Sequence, residues 1–447
     1  MKSGRSFHAC TCWAAVISAA FLLNREGVSA QGNGSFEELA AATESEWGGD
    51  RAGRFHGDPN RDPSLHFTGW QETFLFGAES LQRFLNAWSS LLSGKPSDSV
   101  HRPIQIAHFG GSHVQAGRIG WSFRQRLTSD FPGIVVGRGV QPPHRLVGTN
   151  GAPERGWSSD DEWNRFSCAH RRHEGEWGIT GMEARCDSLT GALTCWTGEP
   201  AGADCASAVR LFSRPGASGP WQLVEDGLDS LGNVTQADRG IHTWRMKAGR
   251  APEDTLRFEH PAGMPAILHG VEWIPDSVDC IFHDLGANGA HSASWLRNPH
   301  FPEQLEAVAP DLVILAFGIN DAHMAPGRFE SNRFKRHYRQ LLDTLRQASP
   351  SSEILLVTNN DSHYRHRHNP HAEQVRHAML ELVKTEGVAC WDLYGQLGGR
   401  GSIDQLHATG FAADDRLHLR RDGYILIGEM LYELLARAAG EMALQNP

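Results

Sequence analysis

Apolar and polar positions change their spacing along this chain, and the changes divide it. Ile104 to Phe109 is a short run closing on two glycines, which predicts a buried strand entering a tight turn. Beyond Ser112, residues Val114, Ile119, Phe123 and Leu127 recur at roughly helical spacing. Upstream, Leu81, Phe84, Leu85, Trp88, Leu91 and Leu92 form one apolar helix face, with Gly94 as a stop. Downstream, Leu312 to Phe317, Ile354 to Thr358 and Val388 to Trp391 are continuous apolar runs. They alternate with helix-like stretches Phe329 to Gln347, His371 to Glu386 and Tyr424 to Ala439. Strands alternating with helices predict a parallel sheet covered on both faces. In such sheets ligands bind beyond the carboxyl ends of the strands.

Between Gly151 and Ile274 the pattern is different. Ala208 to Ser213, Trp221 to Val224 and Thr255 to His260 alternate apolar and polar residues, and Gly, Pro, Asp and Asn separate them. That alternation predicts antiparallel β structure, a small sandwich inserted into the α/β unit. The predicted organisation is a signal peptide at 1–30, a mobile polar leader at 31–66, a first α/β segment at 67–150, the inserted β domain at 151–275 and a second α/β segment at 276–447. The insert carries Trp157, Trp163, Trp177, Trp196, Trp221 and Trp244, whose flat faces could stack on sugars or fill its core. As an accessory binder it should be replaceable by a short linker without loss of small-ester hydrolysis.

Composition adds limits. The 447 residues are 40% hydrophobic and 21% charged, enough to bury a core in more than one unit. A net charge of −10 speaks against nucleic acid and anionic membrane surfaces as partners. Lys2 and Arg5 precede an apolar run from Trp13 to Leu23, and Val28-Ser29-Ala30 resembles a cleavage site, so export to a periplasmic or extracellular location is expected. The run is too short for a stable membrane span. In an oxidising compartment Cys168, Cys186, Cys195 and Cys205 should form disulfides; Cys186 with Cys195 and Cys168 with Cys205 is the favoured pairing, of three possible. Cys280 and Cys390 sit in apolar runs and read as buried thiols. No oligomeric state follows from the chain.

Candidate chemistry collects at the predicted strand ends. Ser112 stands where backbone N–H groups could receive an oxyanion, though it could equally cap the helix. Asp284-Leu-Gly-Ala-Asn-Gly, Phe317-Gly-Ile-Asn-Asp and Asp415-Arg-Leu-His-Leu follow other strands or precede the last helix. A hydrolytic serine needs a base, an orienter for the base and donors for the oxyanion. His418, Asp415, Gly289 and Asn320 can supply them. The run His363 to His371 invites a metal reading, but Arg365 and Arg367 interleave it and nothing acidic does, so no metal or other cofactor is expected.

These four stretches resemble the SGNH, or GDSL, hydrolase superfamily, whose blocks centre on Ser, Gly, Asn and His. Ser112 matches the first, Gly289 the second, Gly318 and Asn320 the third, and Asp415 with His418 the last. Gly111-Ser-His-Val-Gln-Ala, Trp391-Asp-Leu-Tyr and Gly398-Gly-Arg-Gly-Ser are similar to bacterial peptidoglycan O-acetylesterases, which also carry an inserted carbohydrate-module-like β domain. The resemblance spans roughly residues 69 to 439. It implies a flavodoxin-like three-layer α/β fold and a serine esterase that removes O-acetyl groups from a polysaccharide. In that reading Ser112 is the nucleophile, His418 the base and Asp415 its orienter, and Ser112, Gly289 and Asn320 form the oxyanion hole. An acetyltransferase with the same residues and a non-catalytic glycan-binding protein are the alternatives. One position departs: Gly111 stands where the family usually has Asp.

Overall fold

The computed structural model describes residues 74–94, 102–152, 155–170, 175–197, 206–216, 221–224, 234–236, 238–245, 255–275 and 278–445. The expected signal peptide, the polar leader and Cys205 lie outside them.

A seven-stranded sheet organises the α/β unit. Its strands are β1 (Leu75–Phe76), β2 (Ile104–Gly110), β3 (Val136–Gly137), β4 (Cys280–Gly286), β5 (Leu312–Ala316), β6 (Glu353–Val357) and β7 (Ala389–Trp391). The order is β1-β7-β6-β5-β2-β4-β3. Only β1 runs antiparallel, pairing Leu75 with Trp391. The five inner strands thus follow the flavodoxin-like order, in which a ligand cleft opens where the winding reverses, at β2 and β5. β5 shows why the apolar runs are continuous: Leu312 and Ile314 face one layer, Val313 and Leu315 the other.

The first layer holds α1 (Gln82–Leu92), α3 (Arg118–Asp130) and α8 (Arg421–Gln445), packed on Ile106, Phe282, Ile314 and Trp391. The second holds α4 (Phe301–Val308), α6 (Ser331–Ala348) and α7 (His371–Glu386), packed on Ala107, Phe109, Leu285 and Leu356. Two four-residue helices, α2 (Ser112–Gln115) and α5 (Ile319–Ala322), sit at the ends of β2 and β5. The helix expected to run from Ser112 through Leu127 is broken, because Gly117 adopts a left-handed φ of 67° between α2 and α3. Among the described residues, no helix is long and apolar enough to cross a membrane.

Strands between Val140 and Pro275 form antiparallel sheets of four, five and three strands. Trp157, Leu193, Cys195, Val209, Leu211, Trp221 and Phe258 fill the space between them. Val140–Gln141, ahead of Gly151, already pairs with Gly270–Pro275. Two sequence expectations need correcting here. Cys186 and Cys195 are buried free thiols. Cys186 pairs with Ala266 in the three-stranded sheet and Cys195 with Leu256 in the four-stranded sheet, so the two belong to different sheets and not to one hairpin. Cys168 is likewise a buried free thiol. Export therefore rests on the amino-terminal pattern without support from disulfides.

The second correction concerns separability. Cys168, Trp177, Ile179, Met182 and Phe212 of the β module share one core with Phe109, Trp295, Phe301 and Leu305 of the α/β unit. Polar bonds bind the same interface: Gln304 Nε2 donates to Ser213 O at 3.0 Å, Ile179 N to Gln304 Oε1 at 3.0 Å and Asn298 Nδ2 to Gly178 O at 2.6 Å. Replacing the module by a linker would expose this apolar face of the α/β unit, so the module is no detachable accessory. Trp177→Ala, deep in the shared core, should cost about 3–5 kcal/mol. It should lower one common melting midpoint, read by tryptophan fluorescence and by activity; two separated transitions would show that the units fold independently.

Candidate active site

Ser112 begins α2, and Gly111, not Ser112, occupies the cap position. The capping alternative therefore does not hold. The serine hydroxyl points instead to His418, with Oγ 2.9 Å from Nε2. On the far side of the ring, Nδ1 lies 2.7 Å from Asp415 Oδ2. The other carboxylate oxygen, Asp415 Oδ1, accepts the N–H groups of Leu417 and His418, each at 3.0 Å. Asp and histidine are thus fixed to each other through both side chain and backbone. Burial would raise the Asp415 carboxyl, but the His418 side chain and these two N–H groups hold it below the usual carboxylate range. The loop that carries the pair is pinched shut by an Ala412–Leu419 bridge and by the Ala413 N–H donating to His418 O at 2.9 Å.

Gly289 and Asn320 come to the same place from β4 and β5. Gly289 has a φ of 78°, which suits glycine. Asn320 Nδ2 donates one hydrogen to Ala290 O at 2.8 Å, leaving its second for another acceptor. Neither the Ser112 nor the Gly289 N–H donates to the protein among the described residues. All five sequence candidates, Ser112, His418, Asp415, Gly289 and Asn320, accordingly gather at the ends of β2, β4 and β5 and on the loop before α8. Gly111 also acquires a reason. A Cβ there would stand 2.7 Å from Asn320 Nδ2 and 3.3 Å from Ala290 O, so the glycine lets the amide sit against the serine turn.

Several supporting residues were not legible as such in the sequence. Asp321, next to Asn320, accepts both the Ser292 N–H at 3.0 Å and the Ser292 hydroxyl at 2.6 Å. Ser292 Oγ also lies 3.2 Å from His337 Nδ1. This clasp ties the Gly289 loop to α5. Gln115 ties it to α2: its Oε1 accepts the Asn288 N–H at 2.6 Å, and its amide donates to Thr149 Oγ1 at 3.0 Å and to Asn150 O. Thr149 and Asn150 lead into the β module, and Ala169 of the module stands 3.6 Å from where a Cβ on Gly289 would lie. The module therefore walls one side of the cleft. His113 lies behind the base, its ring 5.5 Å from that of His418 and edge-on to Tyr424 at 5.4 Å. Burial, reinforced by His418, pushes the His113 pKa down to about 3, so it stays neutral beside the His418 ring.

Of the six module tryptophans named from the sequence, Trp157, Trp177, Trp221 and Trp244 are buried in cores. Trp163 and Trp196 are partly exposed. Arg145 lies over the Trp196 ring at 6.0 Å. The histidine-rich stretch is a hairpin, His363–Tyr364 paired with Arg367–His368. Among the described residues, no cluster of three or more His, Cys, Asp or Glu is arranged to hold a metal.

Residues 269–426 match the GDSL-like Lipase/Acylhydrolase family, a range that includes Gly289, Asn320, Asp415 and His418 but not Ser112. Among solved structures, one described as a peptidoglycan O-acetylesterase in action superposes with a TM-score of 0.65 at 18% identity, over 82% of this chain and 99% of the other. A carbohydrate esterase of family 3 from Talaromyces cellulolyticus matches at TM-score 0.29 and 17% identity, over 38% and 76%. A catalytic mutant of an acetylxylan esterase from Geobacillus stearothermophilus matches at 0.29 and 16%, over 35% and 73%. The last two are too distant to bear on the fold. No curated protein matches the chain in sequence. Residues 269–426 thus carry a GDSL-like acylhydrolase domain, and that match together with the fold around it supports an SGNH (GDSL) carboxylic ester hydrolase.

Proposed function

We propose that the protein is an exported serine esterase that removes O-acetyl groups from a polysaccharide, with cell-wall glycan as the leading candidate. The observation that carries this reading is the relay of Ser112 Oγ to His418 Nε2 at 2.9 Å and His418 Nδ1 to Asp415 at 2.7 Å, beside Gly289 and Asn320. Likeness to a fold that includes a peptidoglycan O-acetylesterase supports the substrate class, and the Trp13 to Ala30 pattern supports export.

In the first half-reaction His418 Nε2 takes the Ser112 proton as Oγ attacks the acetyl carbonyl. The tetrahedral oxyanion is held by the N–H groups of Ser112 and Gly289 and the free hydrogen of the Asn320 amide. Asp415 keeps the imidazole in the tautomer with Nε2 open, and stabilises the imidazolium. His418 then gives its proton to the departing sugar oxygen. In the second half, water attacks the acetyl-serine with His418 again as base; the Oγ–acyl bond breaks as His418 returns the proton to Ser112 Oγ, and acetate leaves. A sugar hydroxyl in place of water would make the same site an acetyltransferase, and a silent site would leave a glycan binder. Incubation with a chromogenic acetyl ester and an acceptor sugar separates the three by acetate release, acetate transfer or neither.

Ser112→Ala and His418→Ala should each lower ester turnover by orders of magnitude, and the double variant should be little worse than either. Asn320→Ala should cost roughly 10²–10³-fold in kcat. Near-normal turnover by folded Ser112→Ala protein would overturn the mechanism. Asp321→Asn loosens the clasp on Ser292 without touching substrate. It should lower kcat roughly 10- to 100-fold with KM little changed, since misplacing a donor by about an ångström has that effect; a rise in KM alone would place Asp321 in substrate binding instead.

A further inference from the structure

Among the described residues, four that are not glycine have a positive φ: Ala309, Arg365 (49°), His366 (61°) and Arg416 (49°). The last three lie on two segments that the fold fastens together. Arg416 stands between Asp415 and His418. Arg365 and His366 form the two-residue turn of the 363–368 hairpin. Positive φ at both turn residues is the arrangement that hairpins usually fill with Asn-Gly, which adopts it without strain. Here arginine and histidine occupy it, and strain of this kind collects where a side chain is needed for function.

The hairpin is fastened to the loop that carries the base. The His363 N–H donates to Arg416 O at 2.7 Å. Asp404 holds both His363 Nε2 at 3.2 Å and Arg416 Nε at 2.8 Å. Tyr364 packs edge-on against His323 with ring centroids 5.0 Å apart. His323 directly follows α5, which carries Asn320, and feels the charges of His418 and Asp415. The hairpin therefore forms the cleft wall on the side of the base.

Its tip is cationic and unneutralised. Arg365, His366 and Arg367 are exposed. Nearby carboxylates are engaged elsewhere: Asp404 as above, Asp361 with His368, Asp414 with His407 and Arg420, and Asp415 with His418. Neither Arg365 nor Arg367 has a carboxylate partner among the described residues. The Arg365 guanidinium lies over the Tyr364 ring at 5.5 Å, which orients its flat donor edge. On a chain of net charge −10, such a rim attracts what the rest of the surface repels.

We propose that Arg365 and Arg367 form a subsite for a carboxylate of the polysaccharide, so that the preferred substrate is an acetylated acidic glycan. The proposal rests on the esterase reading above and narrows its substrate. Arginine is suited to the task because its paired N–H groups match a carboxylate.

The test compares full-length wild type with Arg365→Gln/Arg367→Gln and with the single charge reversal Arg365→Glu, after melting curves confirm folding. Substrates are acetylated polyuronate, with the carboxylate on the sugar ring, acetylated peptidoglycan, with it on a substituent, and neutral acetylated xylan. The KM for at least one acidic glycan should rise roughly tenfold in the variants, as expected for losing a charge-assisted hydrogen bond. The KM for xylan should move less than about twofold, and the wild-type preference should fade at 1 M salt, where screening extends to about 3 Å. The acidic glycan that responds identifies the source of the carboxylate. Equal KM values for wild type and variants on both acidic glycans, or parallel losses on xylan, would overturn the subsite. Should wild type cleave no acetyl ester, the esterase reading fails by itself; calorimetric binding of deacetylated polyuronate to wild type and to the double variant then decides the subsite, which requires weaker binding by the variant.

Discussion

The site depends on how closely α2 can approach the end of β4. A Cβ on Gly286 would lie 2.1 Å from the Gln115 nitrogen and 2.7 Å from its Cα. No side chain fits there. In the parallel register Gly286 pairs with Gly110, and Gly110 pairs on its other side with Ala316. The three strands thus end level, and small residues at their tips let the loops that follow converge. Ser112 leaves β2, Gly289 leaves β4 and Asn320 leaves β5 within reach of one another. A larger residue at position 286 would push the serine turn away from the Gly289 loop without altering any of the candidate site residues themselves.

Convergence alone would leave the loops free to drift, and partly buried hydrogen bonds fix them. Asp321 holds Ser292, Gln115 holds Asn288, and Asn320 holds Ala290. Ser292 is itself buried, so its hydroxyl would be costly to leave unpaired, and the other two bonds add restraint at the partly exposed edge of the site. Oxyanion donors stabilise a transition state only if they are in place beforehand, because reorganising them would consume the gain. His113 contributes in another way. Its neutrality follows from burial, and a neutral wall places no charge against the His418 ring.

The β module completes the architecture from the other side. Its Trp177, Ile179 and Met182 share a core with Phe109 and Trp295, and its Ala169 faces Gly289. One wall of the cleft is therefore module and the other is the arginine-bearing hairpin, with the reactive serine between them. Rigid attachment of the module favours recognition of a substrate by shape over capture by a swinging binder.

The sequence by itself determined the layers and the candidate groups that the fold brings together. Continuous apolar runs such as Leu312 to Phe317 follow from burial on both faces, and α7 at His371–Glu386 falls where periodicity placed it. Ser112, His418, Asp415, Gly289 and Asn320 were legible because each sits at the end of such a run or beside the last helix, where chain pattern and chemistry coincide. Pairings between segments remote in sequence were not legible. Nothing local distinguishes Asp321 or Gln115 as clasps, since their partners Ser292 and Asn288 lie on another loop. Nor does proximity in sequence make Cys186 and Cys195 partners once their strands enter different sheets. The arginines of the hairpin read as a solvated loop until the fold fastened that hairpin, through His363 and Arg416, to the loop that carries His418. Tertiary structure decided these matters because hydrogen bonds, ion pairs and shared cores are short-ranged in space, and only the folded chain settles which distant residues become neighbours.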